Sequence, residues 1–316
     1  MRLNSRKLLI ITILVWALVI FLGSDAIAAQ KKYLEKEFDV NPGGLLTIDS
    51  DRGSVNVETN AKDKVLIQVV LKANTRDKDR AKEIFDDFKI DFDQDGDNVT
   101  IEAEYKRGSN FWGGNKNNIQ VEFQISVPEK YNLDIVTGGG SITVDSLEGD
   151  IDASTSGGSL NFKQIKGSVH GRTSGGSINL KKCEGFADVK TSGGSINIGH
   201  VKGDVDARTS GGSIDVDEVL GLINASTSGG SVTAHITGQP SDDCRLTTSG
   251  GSVNVYMNEK VNITLDAKTS AGYVETDFPV TVRGKLKKSM LRGEINGGGP
   301  ELYLRTSGGN IHLYSI

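Results

Sequence analysis

The residues best placed for chemistry are four aspartates, Asp152, Asp188, Asp206 and Asp266, which share one position in an internal repeat. A second column, two places on, holds Arg172, Lys190, Arg208 and Lys268. Asp188 and Asp206 are 18 residues apart. If each repeat contributes a strand, their carboxylates stand about 5 Å apart, the separation used by retaining glycosidases. A general acid must hold its proton, however, and neighbouring bases favour the ionised form. The pattern therefore predicts a solvated ladder of ion pairs rather than an acid/base couple. Cys183 and Cys244 fall on apolar positions and are expected as buried, reduced thiols about 14 Å apart along the stack, too far for a disulfide. The histidines, His170, His200, His235 and His312, take different places in the repeat, and no pair has metal-ligand spacing. No catalytic residue, metal site or cofactor is expected.

Two other features could bind rather than react. The segment from Arg107 to Asn115 carries Phe111 and Trp112 in a polar, glycine-rich setting. These are the candidate ligand-binding residues: aromatics there can stack on sugars, sit at a membrane interface or fold back over the core. A polar row, Thr143, Asn161, Asn179, Asn197, Asp215, Thr233 and Asn254, lies on the outside and suits either a polysaccharide or a self-satisfied ladder. The locally basic segment from Lys285 to Arg292 is read as a cover over the last coil.

The elements that position these residues follow from the repeat. Thr-Ser-Gly-Gly-Ser begins at Thr155, Thr173, Thr191, Thr209 and Thr227, and again at Thr248 after 21 residues. Variants begin at Thr137, Thr269 and Thr306. Five places after the tag come Ile142, Leu160, Ile178, Ile196, Ile214, Val232 and Val253, and seven after come Val144, Phe162, Leu180, Ile198, Val216, Ala234 and Val255. Apolar residues two apart mark strands, and a fixed period near 20 marks one unit stacked many times. The fold class is all-β: a β-solenoid, or β-helix, of 18–21-residue coils with two short strands each. Hexapeptide acyltransferases share the coil length but not the apolar spacing, and calcium β-rolls carry an aspartate that these tags lack.

The first half reads as the same solenoid, elaborated. Leu46, Ile48, Val55 and Val57 fit the columns, Val65–Leu71, Val99–Ala103 and Ile119–Val127 read as longer strands, and Asp95-Gly96-Asp97 suits a hairpin. Ala81, Ile84, Phe85 and Phe88 predict one short helix over 76–88 that caps an end or edge. Exposed solenoid ends invite aggregation.

Composition bounds the rest. Of 39 glycines, 31 follow residue 136, so the repeat region is where corners crowd. Net charge is −5, which argues against nucleic acid as partner. Arg2, Arg6 and Lys7, the apolar run Leu8–Leu22 and Ala26-Ile27-Ala28 have the layout of a secretory signal cleaved near residue 28 or 29; an uncleaved anchor is the alternative. The expected organisation is a signal peptide over 1–29, elaborated β-rich coils over 30–136 and regular repeats over 137–316.

The tags, the string Ile295-Asn296-Gly297-Gly298-Gly299-Pro300 and the closing run from Leu304 to Ile311 resemble the bacterial putative-adhesin β-strand repeat family, over roughly residues 33–316. The resemblance implies a β-solenoid domain of unknown function in the cell envelope, with no catalytic residue to carry over. The expectation is a non-enzymatic exported envelope protein, an adhesin, scaffold or stress-related binding protein, in the periplasm, at the cell surface or outside the cell. Its expected partner is an envelope polysaccharide or another envelope protein, with no integral membrane domain once the signal is removed. The alternative is a polysaccharide-active, lyase-like enzyme on a β-helix.

Overall fold

The computed structural model describes residues 29–106, 119–282 and 287–316. The proposed signal, Phe111 and Trp112 lie outside them, as does the start of the basic segment. The described chain forms two sheets of thirteen strands and one helix. Sheet 2 collects the strands that lead into each tag, such as Ile151–Thr155, Val169–Thr173 and Ala187–Thr191. Sheet 1 collects those that leave it, such as Leu160–Lys166, Ile178–Cys183 and Ile196–Val201. Successive coils pair in parallel and in step, Leu160 opposite Ile178 and Ile178 opposite Ile196. The aliphatics five places after the tags, from Ile142 to Val253, are all fully buried, so their columns form the continuous core between the sheets.

The tags bind one coil to the next. Each tag threonine is buried, and its hydroxyl donates to the carbonyl of the second glycine in the preceding coil: Thr173 to Gly158 at 2.7 Å, Thr191 to Gly176 at 2.8 Å, Thr209 to Gly194 at 2.8 Å. The tag's last serine accepts from the backbone N–H one coil on, as Ser177 Oγ does from Ser195 at 3.2 Å. Positive φ is the common reason for glycine at a tight corner. The structure gives a different one at most corners: a Cβ on Gly194 would lie 2.2 Å from the Gly176 carbonyl oxygen, so the coils stack too closely for any side chain. Positive φ is confined to a few tags and corners near the N-terminal end, including Gly140, and to the turn around Gly297.

Spatial order departs from chain order at both ends. The coil of Leu45–Ser50 and Ser54–Asn60 lies between that of Asn98–Tyr105 and Ile119–Pro128 and that of Asn132–Thr137 and Ile142–Glu148. The last coil, Glu301–Thr306 and Ile311–Ser315, is inserted between Cys244–Thr247 with Val253–Met257 and Ile263–Thr269 with Val274–Thr276. Thr269 accordingly donates to Gly309, not to a residue 15–18 places earlier.

Antiparallel strands close the ends. Phe88–Asp95 pairs with Asn98–Tyr105 through the expected turn at Gly96. Lys64–Ala73 and then Gln30–Asp39 extend sheet 1, and Met290–Ile295 covers Ile263–Thr269. The helix is Lys78–Asp86, shorter than expected: Asp77 caps its N-terminus and Phe88 begins the next strand instead. Its buried Ala81 and Ile84 face the core.

Candidate functional site

The outer face of sheet 2 carries the aspartate column. Asp188 and Asp206 are opposite one another on adjacent strands, as the spacing required. Asp188 lies 2.9 Å from Lys190 Nζ and 3.4 Å from Arg172 Nη2, and Asp206 lies 2.6 Å from Arg208 Nη2. Burial alone pushes the Asp188 carboxyl up, but the Lys190 hydrogen bond and the charges of Lys190, Arg172 and His170 outweigh it and hold the group below its ordinary value. Asp188 is therefore a poor proton donor. Asp266 is held low in the same way, against burial, by Arg305 and Arg292. Lys268, expected beside Asp266, is not its partner, because the inserted coil brings Arg305 within 2.8 Å of it instead.

The outer face of sheet 1 carries the polar row. Asn179 Nδ2 donates to Asn161 Oδ1 at 2.9 Å, and Asn197 Nδ2 donates to Asn179 Oδ1 at 2.8 Å. The row continues through aligned positions to Asn56, Gln124 and Gln68. Beside it an open trough of about 630 Å³ runs past Lys163, Lys181, Gly199 and Asp217.

Farther along the same face, His235 stacks on Tyr256 with ring centroids 4.7 Å apart, and Tyr256 stacks on Tyr314 at 4.8 Å. His312 packs on Tyr314 and pairs with Glu275 at 2.9 Å. Two of the four histidines thus belong to one aromatic ladder, although their repeat positions differ. The signal was available, since His235, Tyr256 and Tyr314 all lie eight places after a tag threonine. Rings stacked on each other offer their edges and hydroxyls outward rather than their faces.

Cys183 is buried in sheet 1 and Cys244 in sheet 2, and both are unbridged. Burial pushes the Cys183 thiol up to about 11. Among the described residues no group of three or more His, Cys, Asp or Glu side chains could hold a metal ion, and no helix is long and apolar enough to cross a membrane.

Comparison with known families decides the affiliation. The Toastrack DUF4097 profile matches residues 45–314, nearly the whole described solenoid. This chain belongs to the Toastrack family. No curated protein matches it. Among crystal structures, it is similar to a putative cell adhesion protein from Clostridium sporogenes at 14% identity, covering 90% of this chain and 100% of that one, with a TM-score of 0.26. A putative adhesin from Bacteroides fragilis shows 12% identity over 89% of this chain and 97% of its own, with a TM-score of 0.36. A putative lipid binding protein from Parabacteroides distasonis shows 14% identity over 89% and 96%, with a TM-score of 0.33. Within the Toastrack family, this member combines a regular parallel solenoid with two out-of-order coils.

Proposed function

We propose that this Toastrack protein is a non-enzymatic, exported component of the cell envelope that works as an adhesin or scaffold, with the outer face of sheet 1 as its binding surface. One observation supports this most directly: the largely uncharged row from Gln68 to Asn254 runs beside an open trough, not into an enclosed cleft. Amide and hydroxyl groups repeating at ~4.8 Å offer alternating donors and acceptors to a hydroxyl-rich polymer. The aspartates that resemble a glycosidase pair are ion-paired, which suits a structural ladder better than an acid/base couple.

The test is retention. The purified protein is incubated with peptidoglycan, alginate and pectin, and both bound protein and released sugar are measured. The expected result is retention on one polymer without turnover, weakened by Asn179→Ala with Asn197→Ala. Turnover of any polymer, or retention on none, overturns the proposal. Fractionation of producing cells tests the export half: recovery in the cytoplasm refutes it.

A further inference from the structure

The outer face of sheet 2 has a charge order that only the spatial arrangement of coils reveals. Along one column of this face, aligned residues run Asp93, Thr100, Thr47, Asp134, Asp152 at one end and Arg245, Tyr303, Asp266, Arg292 at the other. The neighbouring column runs Asp91, Glu102, Asp49 at the first end, then Arg172, Lys190, Arg208 in the middle and Arg305, Lys268 at the far end. The acidic end is self-repelling: burial and the charges of Asp152 and Asp49 push the Asp134 carboxyl up. Like charges directly opposite on neighbouring strands cost stability. Val136, a large apolar side chain 44% exposed, stands in the second column of the same face.

We propose that this face is the interface of a symmetric dimer, in which sheet 2 of one copy packs against sheet 2 of a second copy of this chain. The two-fold axis lies in the interface, along the central strand Ala187–Thr191, the seventh of thirteen. Such an axis reverses the strand order and keeps each column over its own counterpart. The strand Cys244–Thr247 then faces Asn132–Thr137, which sets Arg245 against Asp134. Glu301–Thr306 faces Leu45–Ser50, which sets Arg305 against Asp49. Ile263–Thr269 faces Asn98–Tyr105, which sets Lys268 against Glu102, and Met290–Ile295 faces Phe88–Asp95, which sets Arg292 against Asp93.

Each of these four pairs is opposite in charge, and symmetry makes each one twice. Arg292 and Arg305 also pair with Asp266 of their own copy and Glu294 comes to face Asp95, so the complementarity rests chiefly on Arg245 with Asp134 and Lys268 with Glu102. Near the axis like residues meet, but there the charges are already neutralised within each copy, Asp188 by Lys190 and Asp206 by Arg208. Two sheets packed face to face stand ~10 Å apart, a gap that long charged side chains span. Thirteen strands at ~4.8 Å spacing, by about 14 Å of strand, give a face on the order of 800 Å². That is about the area per partner that a standard stable complex buries. The inference is independent of the ligand proposed for sheet 1, which lies on the opposite side.

Sedimentation equilibrium tests it. The protein is expected to dimerise at about 0.05 M salt and to weaken at least roughly tenfold at about 0.5 M, as screened pairs do. Asp134→Lys with Glu102→Lys makes one end basic, and Arg245→Glu with Lys268→Glu makes the other acidic; these side chains are all exposed. Each double variant alone is expected to be monomeric, while an equimolar mixture restores the dimer, because the reversed charges then match. The single variants Glu102→Lys and Lys268→Glu serve the same way if a double variant fails to melt like the parent. A parent that stays monomeric at low salt, reversals that leave the dimer intact, or a mixture of folded variants that remains monomeric each overturn the proposal.

Discussion

Gly194→Ala tests the stacking directly, because the first glycine of an earlier tag, Gly157, provides a control. A Cβ at position 194 would lie 2.2 Å from the Gly176 carbonyl oxygen, whereas one at Gly157 meets nothing within 4 Å. A comfortable contact needs about 3.2 Å or more, so the coils around Gly194 must separate by about 1 Å. That carbonyl accepts from Thr191 Oγ1 at 2.8 Å, the Ser195 amide donates to Ser177 Oγ at 3.2 Å, and the Ile178 amide donates to the Ser195 carbonyl at 2.9 Å. Stretching each by about 1 Å takes it past the useful range. Losing two or three bonds at about 1 kcal/mol each gives a cost of about 2–3 kcal/mol. Gly157→Ala should stay within about 0.5 kcal/mol of the parent or gain slightly from a stiffer unfolded chain. Urea unfolding measures the difference, and hydrogen exchange at the Ser195 amide localises it. Equal stabilities for the two variants, or unchanged protection at Ser195, would show that the coils are not held at this spacing by bare glycine backbone.

Thr191→Val keeps the shape but strands the Gly176 carbonyl, and should cost about 1–3 kcal/mol in urea unfolding, with Thr191→Ser retaining most of the stability. Removing residues 301–316 leaves two coils facing a gap; light scattering should report aggregation, whereas a soluble, cooperatively melting product would contradict the inserted position. In the monomer, at protein concentrations too low for association, Asp134→Asn should raise the melting temperature at pH 7. The folded-state pKa of Asp134 is raised, so its ionised form penalises folding above that pKa, and the gain should vanish as pH falls through the ordinary carboxylate range. Asp266 has the opposite sign: its lowered pKa stabilises the fold above the ordinary range and that contribution is lost on acidification, so Asp266→Asn should destabilise at pH 7 and converge with the parent at low pH.

The core was legible because two periods agree. Ile178 and Leu180 alternate along a strand and recur with Ile196 and Ile198 one coil later, and both requirements are met only by stacked strands. Periodicity alone does not mark the tag threonine as a buried donor, yet it is one; its small, single hydroxyl is what the Gly-Gly carbonyl needs. The order of coils could not be read. Thr306 begins the same tag as the others, and nothing in its residues says that it belongs beneath Thr269 rather than beyond it. The charge polarity of sheet 2 was hidden for the same reason, since Glu102, Asp49 and Asp134 are far apart in the chain and become neighbours only through the reordered first coil. The ion pairing of Asp188 and Asp206 was legible from the basic column two places on, although the base beside Asp266 was misassigned.

The out-of-order coils make the two tips of the rod self-contained. Each tip is locked by a segment that reaches back past its own neighbour, so the middle, from Asn132 to Met257, carries no part of either clasp. Its units are interchangeable: an added 18-residue turn joins matching surfaces above and below. Length is therefore adjustable in steps of ~4.8 Å without redesigning the tips.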